Sequence, residues 1–328
     1  MLTQTDLLYR NFQWSDLPEI TELINLCHTH DGLPWQLSPE EMESEWRYPT
    51  FNPEQECTVV CNTDGKIIAY GYTEKSAASR ARGGGDCTVH PDYRGQGIGT
   101  RLIREGDSFY LADVGPEFDE ETPIYIHRWA TKQNPGMVAL FEAEGYKAVR
   151  HFFTMRIVLD QPIPAPGMPE GFELRPFDLE RDGYAVYQAQ QEAFRDHWGY
   201  IRDVEWEVWK HRFEEPNFRP DMWHIGWAGD EVAGFSMCGP AGEGRDEVAW
   251  VATLGVRRAY RGRGLAKALL LHSFHDAQQR GFEAMELGVD AENPTGALGL
   301  YERAGMHVSM THSSFRKVLR GNGGLIRD

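Results

Sequence analysis

The stretch Leu254-Gly-Val-Arg-Arg-Ala-Tyr-Arg261-Gly-Arg-Gly-Leu-Ala266 decides how this chain is read, because Thr88-Val-His-Pro-Asp-Tyr-Arg94-Gly-Gln-Gly-Ile-Gly99 says the same thing earlier in the sequence. Each is a strand end, a short turn, then Arg-x-x-Gly-x-Gly or Arg-x-x-Gly-x-Ala opening a helix. A helix start leaves backbone N–H groups unpaired, and the helix dipole adds partial positive charge there. Such a turn suits a phosphate or pyrophosphate. Its glycines let the backbone approach a ligand with no Cβ in the way. Spacing excludes two common phosphate loops. Neither copy has the Gly-Lys-Ser/Thr of a P-loop, and neither has the Gly-x-Gly-x-x-Gly of a dinucleotide fold. Occurring twice, the feature predicts two copies of one coenzyme- or nucleotide-binding module.

The flanks repeat as well. After the later loop come Met285-Glu-Leu-Gly-Val, Asn293, a helix with Leu300-Tyr301, and Gly305. After the earlier one come Ile124-Tyr-Ile-His-Arg-Trp129, Asn134, Leu140-Phe141 and Gly145. Before the loops, hairpins are expected around Asp64-Gly65 and Gly229-Asp230. Still earlier, Leu8–Asp16 and Phe172–Asp182 each read as a short strand and turn before a helix, over Leu17–Cys27 and Tyr184–Phe194. Four prolines between Pro162 and Pro169 mark an extended spacer. The expected division is residues 1–160, a linker at 161–170, and residues 171–328. Each half reads as an α/β domain, a mixed twisted sheet with helices on both faces. The earlier half has an additional acidic stretch, Asp113–Glu121, expected as an exposed loop. Trp206, Trp209 and Phe213, at helical spacing, are expected in the core.

Composition bounds the function. The 328 residues are 41% apolar and 25% charged, as in globular proteins. Formal net charge is −17, which argues against nucleic acid and anionic membrane as partners. No apolar run reaches bilayer length, and the start lacks a basic, apolar leader. The five scattered cysteines read as reduced thiols in a cytoplasmic protein. Cys57-x-x-x-Cys61 has no matching ligand pair, so no metal is expected.

The loops resemble the coenzyme A pyrophosphate loop of the Gcn5-related N-acetyltransferase superfamily, and the tandem arrangement resembles its mycothiol synthase-like members. That resemblance covers the whole chain in architecture and is closest from Trp250 to Met306. It implies a cytoplasmic N-acetyltransferase that uses acetyl-CoA as cosubstrate, acting on a small amine, as a monomer or homodimer. It implies coenzyme contacts from Leu254, Val256, Arg261, Gly262, Arg263, Gly264, Leu265, Ala266 and Asn293. In the earlier copy these are Val89, Arg94, Gly95, Gln96, Gly97, Ile98 and Gly99. Arg257, Arg258, Arg261, Arg263 and Lys267 are then expected around the coenzyme phosphates.

In the family an amine attacks the thioester directly, a strand-end backbone N–H (here Leu254–Val256) serves the oxyanion, and a tyrosine protonates the leaving thiolate. Tyr301 stands at that place, whereas the earlier copy has Phe141, so the later domain is expected to be the catalytic one. The base is open. The mycothiol synthase pattern puts a glutamate where this chain has Trp250. Glu247, just upstream, and His197, on the loop expected to cover the acceptor, are the alternatives. With Asp196 they imply a negative cleft for a small cationic amine. Two other readings stand beside this one: mycothiol synthase-type acetylation of a cysteinyl amino-sugar, and a non-catalytic acyl-CoA sensor.

Overall fold

The computed structural model describes residues 7–164, 166–214, 218–293 and 295–326. In chain order its strands are β1 (Leu8–Asn11), β2 (Cys57–Cys61), β3 (Ile67–Lys75), β4 (Arg82–Val89), β5 (Ile124–Thr131), β6 (Lys147–Val158), β7 (Glu173–Arg175), β8 (His224–Ala228), β9 (Glu231–Pro240), β10 (Val248–Val256), β11 (Ala284–Asp290) and β12 (His307–Arg320). The helices are α1 (Leu17–His30), α2 (Pro39–Trp46), α3 (Pro53–Glu56), α4 (Ile98–Val114), α5 (Pro135–Ala143), α6 (Leu179–Phe194), α7 (Trp206–Trp209), α8 (Leu265–Gln279) and α9 (Ala297–Arg303). The mixed α/β class and the doubled order of elements agree with the sequence reading.

Two compact units result. One holds the described residues through Arg150 together with those from His312 onward, and the other holds His151–Thr311. In the first, the strand order is β1-β2-β3-β4-β5-β12, and in the second β7-β8-β9-β10-β11-β6. In both, the first four strands are antiparallel neighbours, the fifth joins in parallel, and the sixth runs antiparallel to the fifth. That sixth strand comes from the other half of the sequence. Residues His312–Arg320 of β12 pair with β5, and Phe152–Val158 of β6 pair with β11.

The unit boundary therefore runs through β6, not through the proline-rich stretch expected as a linker at 161–170. Gln278 on α8 explains where that stretch went. Its side chain accepts from the Ile163 N–H and donates to the carbonyls of Leu159 and Gln161. Ile163 also packs on the core of the second unit. The expected acidic loop is shorter than read. Asp113 lies in the last turn of α4 and pairs with Lys75, while Glu117 pairs with Arg80.

Alternation along the strands builds a core on each face of the sheet. In the first unit Val59 and Ile67 face α1 and α2, and Val60 and Ile68 face α4 and α5. The exchanged strands enter these cores, Phe315 of β12 in the first and Met155 of β6 in the second. Trp206, Trp209 and Phe213 do pack into the core beneath α6. Helix starts follow local chemistry. Ser38 and Glu41 form a capping box on α2, and the Asp178 and Asn134 side chains cap α6 and α5.

Candidate active site

The two glycine loops fold alike down to single dihedral angles. Gly95 and Gly97 have φ of 73° and 81°, and Gly262 and Gly264 have 75° and 82°. Residues with a Cβ rarely adopt this left-handed conformation, so the second glycine of each loop can turn directly into α4 or α8. The leading arginine has a role that the sequence reading did not assign. Arg94 donates to Asp31 and to the Val89 carbonyl. Arg261 donates to Asp196 and to the carbonyls of Val256 and Ala193. In both copies it clamps the loop to the strand before it and to the end of the unit's first long helix.

In the second unit a cavity of about 390 Å³ opens on the loop. Leu254, Val256, Arg261, Gly262, Gly264, Leu265 and Ala266 line it, and so do His197 and Tyr301. Three expected residues are absent from the lining. Asn293 turns its side chain onto Thr295, accepting from that residue's N–H at 2.8 Å. Arg263 donates to the Glu170 carbonyl and covers the Phe172 ring. Glu247 is exposed and lies just before β10, whereas the loop follows the strand's other end. At about 3.3 Å per residue, nine strand residues separate the two ends by roughly 30 Å.

The expected basic cluster is largely paired: Arg257 with Glu192, and Arg258 with Asp196. Asp196, held by Arg258 and Arg261, adds no free negative charge to the cavity. What the cavity does bring together is His197 and Tyr301. Burial pushes the Tyr301 hydroxyl up to about 12, so it keeps its proton. His197 packs on Phe194 with ring centroids 4.2 Å apart, and burial lowers its pKa, favouring the neutral ring.

The first unit has a larger cavity, about 790 Å³. Val89, Arg94, Gly95, Gly97, Ile98 and Gly99 line it. Gln96 is exposed and donates to the Asp92 carbonyl instead. Strand geometry explains the opening. β4 and β5 pair only through Arg82–Gly84 and Tyr125–His127, then part. The cavity occupies the gap between Asp86–Val89 on one strand and Trp129–Thr131 on the other. Phe141 is fully buried against Tyr146 and Phe315 and takes no part in the lining.

Two carboxylates near this gap were missed by the sequence reading. Asp86 lines the cavity, and Glu74 is opposite Gly84 across the β3–β4 pair. A signal for them existed in Gly83-Gly84-Gly85-Asp86, since consecutive glycines inside a strand often mark a close approach by a ligand or another backbone. A Cβ on Gly85 would come within 2.4 Å of the Tyr72 carbonyl oxygen, and one on Gly84 within 3.3 Å of Glu74 Oε1.

Known proteins carry the same double construction. The profile of the Acetyltransferase (GNAT) family matches residues 17–146 and again 183–306. The chain belongs to the GNAT acetyltransferase family. A mycothiol acetyltransferase of Salinispora arenicola is 30% identical over 334 residues, covering 96% of each chain. One from Thermobispora bispora is 32% identical over 248 residues, covering 74% of this chain and 77% of its own. Among solved structures, a GCN5-related N-acetyltransferase from Sphaerobacter thermophilus is 31% identical and covers 98% of both chains, with a TM-score of 0.79. A tandem GNAT protein from the clavulanic acid biosynthesis pathway shares the fold, at 16% identity and a TM-score of 0.72. The present chain is thus a tandem GNAT N-acetyltransferase. Among its described residues no helix is long and apolar enough to cross a membrane, and no cluster of His, Cys, Asp or Glu is placed to hold a metal.

Proposed function

We propose that this GNAT protein transfers the acetyl group of acetyl-CoA to the primary amine of a small acceptor, with the second unit catalytic. One observation carries the reading: Tyr301 lines the same cavity as the Gly262–Ala266 loop and holds its proton. The amine attacks the thioester carbonyl, and the carbon–nitrogen bond forms as the carbon–sulfur bond breaks. In this reading a backbone N–H of Leu254–Val256, at the strand end, donates to the oxyanion. Tyr301 gives its proton to the departing thiolate, and His197, which lines the same cavity, receives the proton of the amine.

The mycothiol acetyltransferase relatives favour a narrower alternative, an amino-sugar conjugate as acceptor, because their resemblance extends over nearly the whole chain. Against it stands Trp250 at the place where that pattern has a glutamate. A cationic acceptor has less support in this unit than the sequence suggested, since Asp196 is paired and Glu247 lies elsewhere.

The test uses a chain whose other loop is obstructed by Gly97→Val. There, Tyr301→Phe should lower turnover by about 10² to 10⁴ with acetyl-CoA affinity nearly unchanged. Equal turnover with and without the hydroxyl would remove Tyr301 from the reaction. Absence of thiol release with every amine, despite tight acetyl-CoA binding, would favour the sensor reading.

A further inference from the structure

We propose that the first unit is a second acetyl-transfer centre, where Asp86 and Glu74 take up the protons of a primary amine presented to acetyl-CoA on the Arg94–Gly99 loop. This rests on the acetyltransferase reading above but not on the second unit being active.

The geometry is that of two chambers meeting at one carboxylate. The large cavity carries the glycine loop and ends at Asp86 and Trp129. A second cavity of about 340 Å³ is also lined by Asp86 and Trp129, and beyond them by Tyr72, Glu74, Arg82 and His127. A coenzyme entering from the loop and an amine entering from the second chamber would therefore meet beside Asp86. The parting of β4 from β5 after Gly84 makes the passage, and the bare Gly84 leaves room at the Glu74 carboxylate.

The side chains there are disposed for proton uptake. Among the described residues the Glu74 carboxylate has no hydrogen-bond or ion-pair partner, although Arg82 lines the same chamber. Asp86 accepts one hydrogen bond, from the Cys87 N–H at 2.7 Å. Burial pushes Glu74 up to about 7, with Glu45 adding to the shift, and burial raises Asp86 as well. Carboxylates of raised pKa are better proton acceptors near neutral pH than ordinary ones. Tyr72 and Trp129 give the chamber aromatic walls, and aromatic faces next to carboxylates suit an ammonium on an apolar or aromatic body.

The contrast between the two units strengthens the case. Aligned on Val89 and Val256, the position of Asp86 is Thr253, and past the bulge between Val251 and Thr253 the position of Gly84 is Trp250, with Gly239 in the place of Glu74. The second unit thus has the tyrosine and lacks these carboxylates, while the first has the carboxylates and a core phenylalanine for the tyrosine. Two copies retaining different parts of the apparatus are equipped for different acceptors.

The chemical step balances without a protein acid. The amine nitrogen bonds to the thioester carbon after Glu74 has taken the ammonium proton. Asp86 takes the second proton as the tetrahedral adduct forms, and the carbon–sulfur bond then breaks. Coenzyme A leaves as a thiolate that solvent protonates, and both carboxyls return their protons to solvent.

The test blocks the other loop with Gly264→Val, or separately disables that unit with Tyr301→Phe, and measures thiol release from acetyl-CoA. The acceptors are phenethylamine, tyramine, spermidine and glucosamine. Release should persist in both backgrounds, fastest with the two aromatic amines. Adding Asp86→Asn should lower it by about 10² or more, and Glu74→Gln by about tenfold. Acetyl-CoA affinity should stay at its background value, and the thermal melt should not fall below its own. Three results would overturn the proposal: no release in either background with any of the four amines, release unaffected by Asp86→Asn, or loss that tracks a loss of coenzyme binding. Failure here with full activity in Gly97→Val would leave the second-unit reading standing, and the reverse pattern would leave only this one.

Discussion

Single residues separate what binds from what holds. Arg261 matches a coenzyme motif, yet its guanidinium is taken up by Asp196 and two backbone carbonyls, and Arg94 repeats the arrangement with Asp31. Motif and clamp coincide because a loop that must present its N–H groups has to be held still. Glu74 gives a residue-scale test through pH. It faces Glu45, Asp86, Arg82 and His127, and burial raises its carboxyl from an ordinary 4.5 to about 7. The folded state thus favours the protonated form. Stability is unaffected below the unfolded value and falls as pH rises through 4.5 toward 7. Glu74→Gln removes that loss, so denaturant melts should show the variant gaining on the parent between pH 4.5 and pH 8. A constant or shrinking difference would contradict the buried, unpaired carboxylate. Legibility at this scale was uneven. The glycines stood out by their fixed spacing, whereas Tyr301 and His197 came only through the family resemblance. Glu247 was chosen by proximity along the sequence, and the strand then carried it to the wrong end. Asp86 and Glu74 carry no motif, lie twelve residues apart in sequence, and come to one chamber only through the β3–β4 pairing.

At the scale of elements, the parting of a parallel strand pair makes the site. β4 and β5 lose contact after Gly84, and β10 and β11 pair only through Val248–Val251 and Ala284–Leu287. Among the described residues, backbone groups beyond those points have no partner from the parallel strand, and the loop that opens the next helix lies at the same end. The sequence showed the elements and their order, because hairpin turns, caps and alternation are local signals. It did not show which unit β6 and β12 would complete. Partner choice depends on cores built far away in the chain. Phe315 tests the exchange. It is buried in the core of the first unit though it lies near the end of the sequence. Phe315→Ala should destabilise that unit by about 3–5 kcal/mol. The expected result is weaker acetyl-CoA binding at the Arg94–Gly99 loop in calorimetry at a temperature where the second loop still binds. Equal effects on both loops, or none, would contradict the assignment of this strand.

For the molecule as a whole, duplication followed by exchange makes the two halves of the sequence dependent on each other. Residues 1–160 lack the strand that pairs with β5, and residues 171–328 lack the one that pairs with β11. Expressed separately, each half should be insoluble or melt without cooperativity, and co-expression should restore a soluble complex. Two well-folded separate halves would contradict the exchanged topology. If both glycine loops are working coenzyme sites, calorimetric titration with acetyl-CoA counts them. Two sites are expected in the parent chain, one in Gly97→Val, one in Gly264→Val, and none in the double variant. Each lost site corresponds to weakening of at least about tenfold, or 1.4 kcal/mol. Two undiminished sites in the double variant, or no acetyl-CoA binding by the parent, would contradict the two-site reading.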